Sequence, residues 1–93
     1  MSDFARTFCN ATNDHERQIA LSDLALCYRG TNEKQVERFL AQVARSESHS
    51  KDTRLIAYIV LFEVANRPLE DLPPLHDFKI PEHLDLSFLN QYR

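Results

Sequence analysis

Residues 55–62 read "LIAYIVLF", eight apolar residues from Leu55 to Phe62 with no charge among them. Three structures accommodate such a run: a membrane span, a strand buried on both faces, or a helix that the rest of the chain must cover. A span needs about 20 apolar residues. Here Arg54 precedes the run, Glu63 closes it, and Asn66 and Arg67 follow, so the run is too short. Ile56, Tyr58, Ile59, Val60, Phe62 and Val64 favour strands. The apolar stretch nevertheless continues past Glu63 to Ala65, which is long for one strand. The chain offers no second strand of similar quality, and a lone strand leaves its backbone groups unpaired. The expected state is therefore a helix over about residues 52–66, capped by Ser50 or Asp52 and ended ahead of Pro68, because a residue before proline resists helical geometry. Such a helix is apolar nearly all round and calls for cover on several sides.

Two segments upstream supply helical cover. "NDHERQIALSDLALCYRG" predicts a helix over about 14–29. Asn13 caps it, Glu16 stands at capping-box spacing, and Asp14 and Glu16 place negative charge at the positive end of the dipole. Ala20, Leu24, Cys27 and Tyr28 share one face, Leu21 widens it, and Gly30 stands where a left-handed C-cap residue is wanted. "TNEKQVERFLAQVARSE" predicts a second helix over about 32–46, capped by Thr31 or Asn32. Val36, Phe39, Leu40, Val43 and Ala44 form its apolar stripe, with Glu33, Lys34, Glu37, Arg38 and Arg45 opposite. The short link between the two predicts an antiparallel hairpin. Residues 1–12 read as a lead-in whose Phe4 and Phe8 are expected to pack.

Beyond residue 67 the pattern changes. Pro68, Pro73, Pro74 and Pro81 forbid a long helix. Leu69, Leu72, Leu75, Phe78 and Ile80 recur every two or three residues, as in an extended, partly polyproline-II strap lying along a hydrophobic surface. That surface is the chain's own core or another protein. From Pro81 a short helix would align Leu84, Phe88 and Tyr92, while the alternation Leu84, Leu86, Phe88 fits a short strand equally well; helix is favoured. The expected architecture is an all-α single domain over residues 1–93: a helical hairpin, a central buried helix and a Pro-rich C-terminal strap over 67–93.

Composition narrows the function classes. The chain has 93 residues, 43% hydrophobic and 27% charged, which is globular rather than disordered composition. A single Gly argues against an all-β fold, which consumes Gly in turns and bulges. Net charge is −3, and no basic run or basic helix face exists, so nucleic acid and anionic membranes are disfavoured partners. "MSDFARTFC" has no signal-peptide core, so Cys9 and Cys27 are expected to be reduced, partly buried thiols of a cytoplasmic protein.

The first and third predicted helices share a pattern. Arg17, Ile19, Ala20 and Leu24 match Arg54, Ile56, Ala57 and Leu61 at a constant offset of 54 − 17 = 37 residues, giving R-x-I-A-x-x-x-L. Paired-helix repeats have periods in this range. "DHERQIALSDLAL" and "KDTRLIAYIVLF" carry an acidic residue, then an arginine, then small and apolar residues. Over residues 14–66 the chain resembles HEAT-like repeats, in particular the short repeats of the phycobilisome-lyase type. The resemblance implies stacked helix hairpins that bury one face on a neighbour. The chain departs from it where the Pro-rich segment replaces the next partner helix, and in having two repeats where such arrays use three or more.

Catalytic signatures are missing from the sequence: there is no Gly-rich phosphate loop and no H-E-x-x-H, C-x-x-C or G-x-S-x-G. His76 and His83 stand near Asp77, Glu82 and Asp85, but a spacing of seven across Pro81 is no recognised ligand spacing. His15 and His49 read as surface residues, and nothing in the spacing of Cys9 and His15 requires a nucleophile–base pair. No catalytic residue, cofactor or metal site is expected. Arg17 and Arg54 form a candidate pair for an acidic partner, and Leu69, Leu72, Leu75, Phe78 and Ile80 are candidate partner contacts. The reading is a non-enzymatic interaction module or small subunit of an assembly, binding another protein or a second copy of itself. The alternatives are a small enzyme or ligand-binding domain in which Tyr28, Tyr58, Tyr92, His76 and Cys27 converge, and a helix-turn-helix-like regulator built on the first two helices.

Overall fold

The computed structural model describes residues 3–68, 70, 72, 79, 82 and 84–92, residues 3–5 by their backbone alone. Every regular element among them is helical: α1 (Asp3–Cys9), α2 (Asp14–Tyr28), α3 (Lys34–Arg45), α4 (Lys51–Val64) and α5 (Leu86–Leu89), which runs into a 3-10 turn at Asn90–Tyr92. "LIAYIVLF" lies inside α4.

The helix ends follow local chemistry. Asn13 Oδ1 accepts from Glu16 N at 2.9 Å, and the Glu16 carboxylate reaches back one residue beyond the cap, accepting from Thr12 N at 3.0 Å. These Thr12 contacts, first of all the backbone one, hold the Glu16 carboxyl below its ordinary range. Ser50 Oγ caps α4, accepting from Thr53 N at 3.2 Å. Asp85 caps α5 in the same way, with Phe88 N at 3.1 Å. Past Arg29, Gly30 takes φ +71°, the left-handed value wanted there. Asn32 (φ +54°) and Asn66 (φ +58°) occupy the same region, which Asn tolerates better than most residues. At α3 neither Thr31 nor Asn32 caps; Glu33 takes the position without a side-chain cap bond.

α4 is the centre of the molecule. Gly30 N donates to Glu63 O at 2.8 Å and Asn32 N to Val64 O at 2.9 Å, so the α2–α3 link crosses the C-terminal end of α4. α2 and α4 thus run parallel. Arg54 Nε donates to Ala44 O at 2.9 Å, joining the end of α3 to the start of α4, so those two run antiparallel. α4 packs most on α3 and next on α2, and α2 and α3 meet chiefly through it rather than as a directly packed hairpin. Covering an all-apolar helix requires setting it between two amphipathic ones. α1 lies on α2, while α5 and the 3-10 turn lie on α3. There Phe88 meets Phe62 edge-on at 5.3 Å, Arg67 stacks over Phe88 at 4.2 Å, and Asp85 N donates to Tyr58 Oη at 3.0 Å.

Of the two readings of the C-terminal segment, the favoured helix is the one found: residues 86–92 are helical, with Leu84 and Phe88 buried and Tyr92 packed against the core. Other expectations change. Glu37, expected on the solvent face of α3, is buried, whereas Phe39 sits at the edge of the core. Its helix is rotated toward the C-terminal turn, where Tyr92 Oη donates to Glu37 Oε1 at 2.6 Å. Cys27 is exposed rather than on the buried face of α2, and Cys9 is exposed too; both thiols are free. Of the expected strap, Leu72 packs against the core, while Leu69, Leu75, Phe78 and Ile80 lie outside the described residues.

Candidate functional site

α4 buries Thr53, Arg54, Ala57, Tyr58, Val60, Leu61, Phe62 and Val64. Apart from exposed Lys51 at its first position, what remains is one stripe: Asp52 exposed, then Leu55, Ile56, Ile59 and Glu63 partly exposed. Counted from Asp52, these fall at i+3, i+4, i+7 and i+11, a single line down the helix. The line is open because α2, α3 and the C-terminal element contact the other sides of α4.

α2 forms one bank of this opening with Ser22, Ala25 and Arg29, spaced i, i+3, i+7. Between the helices lies a groove of about 270 Å³, floored by Ala25, Ile56, Ile59 and Val60. The small side chains of Ser22 and Ala25 keep that bank low. Arg29 Nη2 and Glu63 Oε2, 3.4 Å apart, close the C-terminal end. Immediately outside the bank, on the outer face of α2, Leu26 is 83% and Ile19 49% exposed. Scattered exposed apolar residues need no explanation. These two are seven residues apart on one line of α2, outside the residues that line the groove. The C-terminal end of the groove thus carries a paired cation and anion, and the N-terminal end of α4 carries Lys51 and Asp52, both exposed.

A second concavity, about 420 Å³, opens where α1, α2 and α3 meet the α3–α4 link. Phe8, Phe39 and Val43 supply apolar wall, and Cys9, Arg17, Gln42, Ser46 and His49 supply polar groups. Phe8 meets Phe39 and His49 edge-on, each at 5.3 Å. Burial, and then the Arg17 charge, hold the His49 imidazole below its ordinary 6.5. Arg17 is already engaged, Nη1 lying 2.9 Å from Asp14 Oδ1.

The residues singled out from sequence are distributed as follows. Arg17 pairs within its own helix and edges the second concavity. Arg54 is buried and tied to the α3 carbonyl of Ala44. Cys9 lines the second concavity beside His49 rather than His15. Tyr58 and Tyr92 approach one aromatic ladder through Phe62 and Phe88, at 5.0 Å and 5.6 Å. Cys27 is on the surface, and His76, Asp77 and His83 lie outside the described residues. Among the described residues no group of three or more His, Cys, Asp or Glu is placed to hold a metal ion, and no helix is long and apolar enough to cross a membrane. At the 37-residue offset, Ala20 and Ala57, and Leu24 and Leu61, are buried alike, whereas Ile19 is far more exposed than Ile56. The sequence did hold a signal for an exposed apolar line on α2, though not for the groove: Ile19 and Leu26 fall off the buried stripe of α2 and align with each other. Compared with family models, curated proteins and solved structures, the chain matches none of them.

Proposed function

We propose that this domain is a non-enzymatic protein-interaction module that receives an amphipathic helix along the α2–α4 groove. The observation that carries the reading is the partly exposed stripe of Leu55, Ile56, Ile59 and Glu63 on an otherwise buried helix, beside the small side chains of Ser22 and Ala25. Helix-in-groove recognition uses apolar anchors at i, i+3/i+4 and i+7 against such a surface, and the groove presents Ile56 and Ile59 at complementary spacing. The HEAT-like resemblance is in keeping with this: α2 and α4 would be the first helices of two successive repeats, and the parallel setting of the two supports that assignment.

The test is selection of helical peptides from a displayed library on the full chain. Enriched peptides should carry apolar residues at helical spacing, shift backbone resonances of α2 and α4, and lose binding to an Ile59→Lys variant. Peptides that footprint elsewhere, or a library that yields no binder, would remove the proposal.

A further inference from the structure

We propose that the concavity where α1, α2 and α3 meet is a binding site for a small aryl carboxylate, its rings lying on Phe39 and Val43 and its carboxylate held by Arg17. This site shares no lining residue with the α2–α4 groove and does not depend on what fills that groove. Small-ligand sites are concave and mostly apolar, with a few polar groups that fix orientation, and enclose roughly 300–1,000 Å³. The concavity, at about 420 Å³, falls in that range. Burial sorts its lining. Phe8 and Val43 are buried and form the floor, Phe39 is a partly exposed wall, and exposed Cys9 stands at the rim. Phe8 meets Phe39 edge-on at 5.3 Å. A flat ring against Phe39 extends that aromatic packing.

Charge decides the head group. Among the described residues no Asp or Glu lines the cavity, whereas Arg17 does. Arg17 spends Nη1 on Asp14 Oδ1, a partly exposed pair within one helix, of a kind worth little. A guanidinium has five N–H donors in a planar fork, so that contact leaves donors for a second carboxylate. Arg54 adds to the field. It is 8% exposed, its Nε donates to Ala44 O, and among the described residues no carboxylate lies within ion-pair reach of it. A charge taken out of water favours any anion brought near it. Both arginines act on the His49 imidazole in the cavity lining, with Asp14 opposing them. Burial first, and then Arg17, keep that ring uncharged at neutral pH, so it serves the ligand as a hydrogen-bonding group. Two cations against one carboxylate leave a balance that an incoming anion satisfies.

Size sets the expected strength. A two-ring carboxylate of about fourteen heavy atoms suits the volume, and at the efficiency usual for such ligands its Kd is on the order of 1 mM.

The experiment is titration of the full, isotope-labelled chain with naphthylacetate, read from backbone amide resonances, with naphthylacetamide and acetate run beside it. Shifts with naphthylacetate should saturate and gather on Phe8, Phe39, Val43 and His49. Naphthylacetamide, the same rings without the charge, should bind about tenfold more weakly, and acetate, the charge without the rings, should not saturate. Arg17→Gln should weaken naphthylacetate about tenfold and leave naphthylacetamide unchanged. Asp14→Asn, which releases the Arg17 Nη1 donor, should tighten naphthylacetate. The two free, exposed thiols give a second readout, since Cys9 lines the cavity and Cys27 does not. Saturating naphthylacetate should slow alkylation of Cys9 by iodoacetamide and leave Cys27 at its own rate. Shifts that do not saturate by roughly ten times the expected Kd, shifts confined to the α2–α4 groove, equal affinity for acid and amide, or an acid affinity untouched by Arg17→Gln would each overturn the proposal.

Discussion

A single buried carboxyl shows how residue-scale chemistry shapes this fold. Glu37 is 1% exposed. Its Oε1 accepts from Tyr92 Oη at 2.6 Å and lies 3.8 Å from Lys34 Nζ, while among the described residues Oε2 has no hydrogen-bond partner. Removing one partner of a buried pair costs more than removing both. Tyr92→Phe should therefore destabilise by about 1–3 kcal/mol, and adding Glu37→Leu should recover much of that loss. Urea titration of the two singles and the double reads the coupling; strictly additive effects would show that the pair is not a unit. His49 offers a second residue-scale forecast. Its folded-state pKa lies below its ordinary 6.5, through burial first and the Arg17 charge next. The unfolded chain thus binds the proton more readily than the folded one. The stability held above pH 6.5 should fall as the solution is acidified through the folded value. His49→Gln should flatten that part of the midpoint-versus-pH curve, and an unchanged slope would assign it to other groups.

At the scale of elements, the links matter as much as the helices. Gly30 adopts φ +71° while its backbone N–H bonds the end of α4. Among the described residues, a Cβ there would meet only Asn66 Oδ1, at an ordinary 3.9 Å. The cost of Gly30→Ala is therefore conformational, about 1 kcal/mol, and Gly30→Asn should cost less, as thermal melts of both would show. If the two variants lost several times that much, steric crowding would be the cause instead. The same elements show what was legible in the sequence. Asn13, Ser50 and Gly30 act on their nearest neighbours, so helix ends there follow from local pattern. Periodicity likewise placed α2, α3 and α4, because each has a stripe or run long enough to dominate its window. What local pattern cannot contain is which side of a helix a distant segment will cover. Glu37 is polar by composition and buried only because Tyr92, 55 residues away, reaches it. Phe39 belongs to the apolar stripe of α3 but turns toward Phe8 at the edge of the core. The groove was hidden for the same reason. Ile56 and Ile59 look like core in an apolar run, and only the arrangement of α2, α3 and the C-terminal element leaves them open.

For the whole molecule, the question is how much of the cover around α4 the described C-terminal residues provide. Leu84, Phe88 and Leu89 are buried, and Tyr92 packs against the same core. Full burial of one such side chain is worth about 1.5–3 kcal/mol, and this is an upper estimate because unfolded chains already hide some apolar surface. Three of them approach the ~5–15 kcal/mol that holds a typical domain together. Deletion removes more than area. Phe62 loses the edge of Phe88, Tyr58 Oη loses the Asp85 amide, and Glu37 loses its hydroxyl donor. It also opens a second side of α4, next to the stripe that is already open. A chain ending at residue 83 should therefore keep helical circular dichroism, since the cap bonds and the packing of α2, α3 and α4 remain. It should lose a cooperative thermal transition and the dispersion of its aliphatic NMR resonances, and should bind a hydrophobic dye. Were it instead to melt as sharply as the full chain and at a similar temperature, α2 and α3 alone would suffice as cover, and the aromatic ladder from Tyr58 to Tyr92 would be an attachment rather than part of the core.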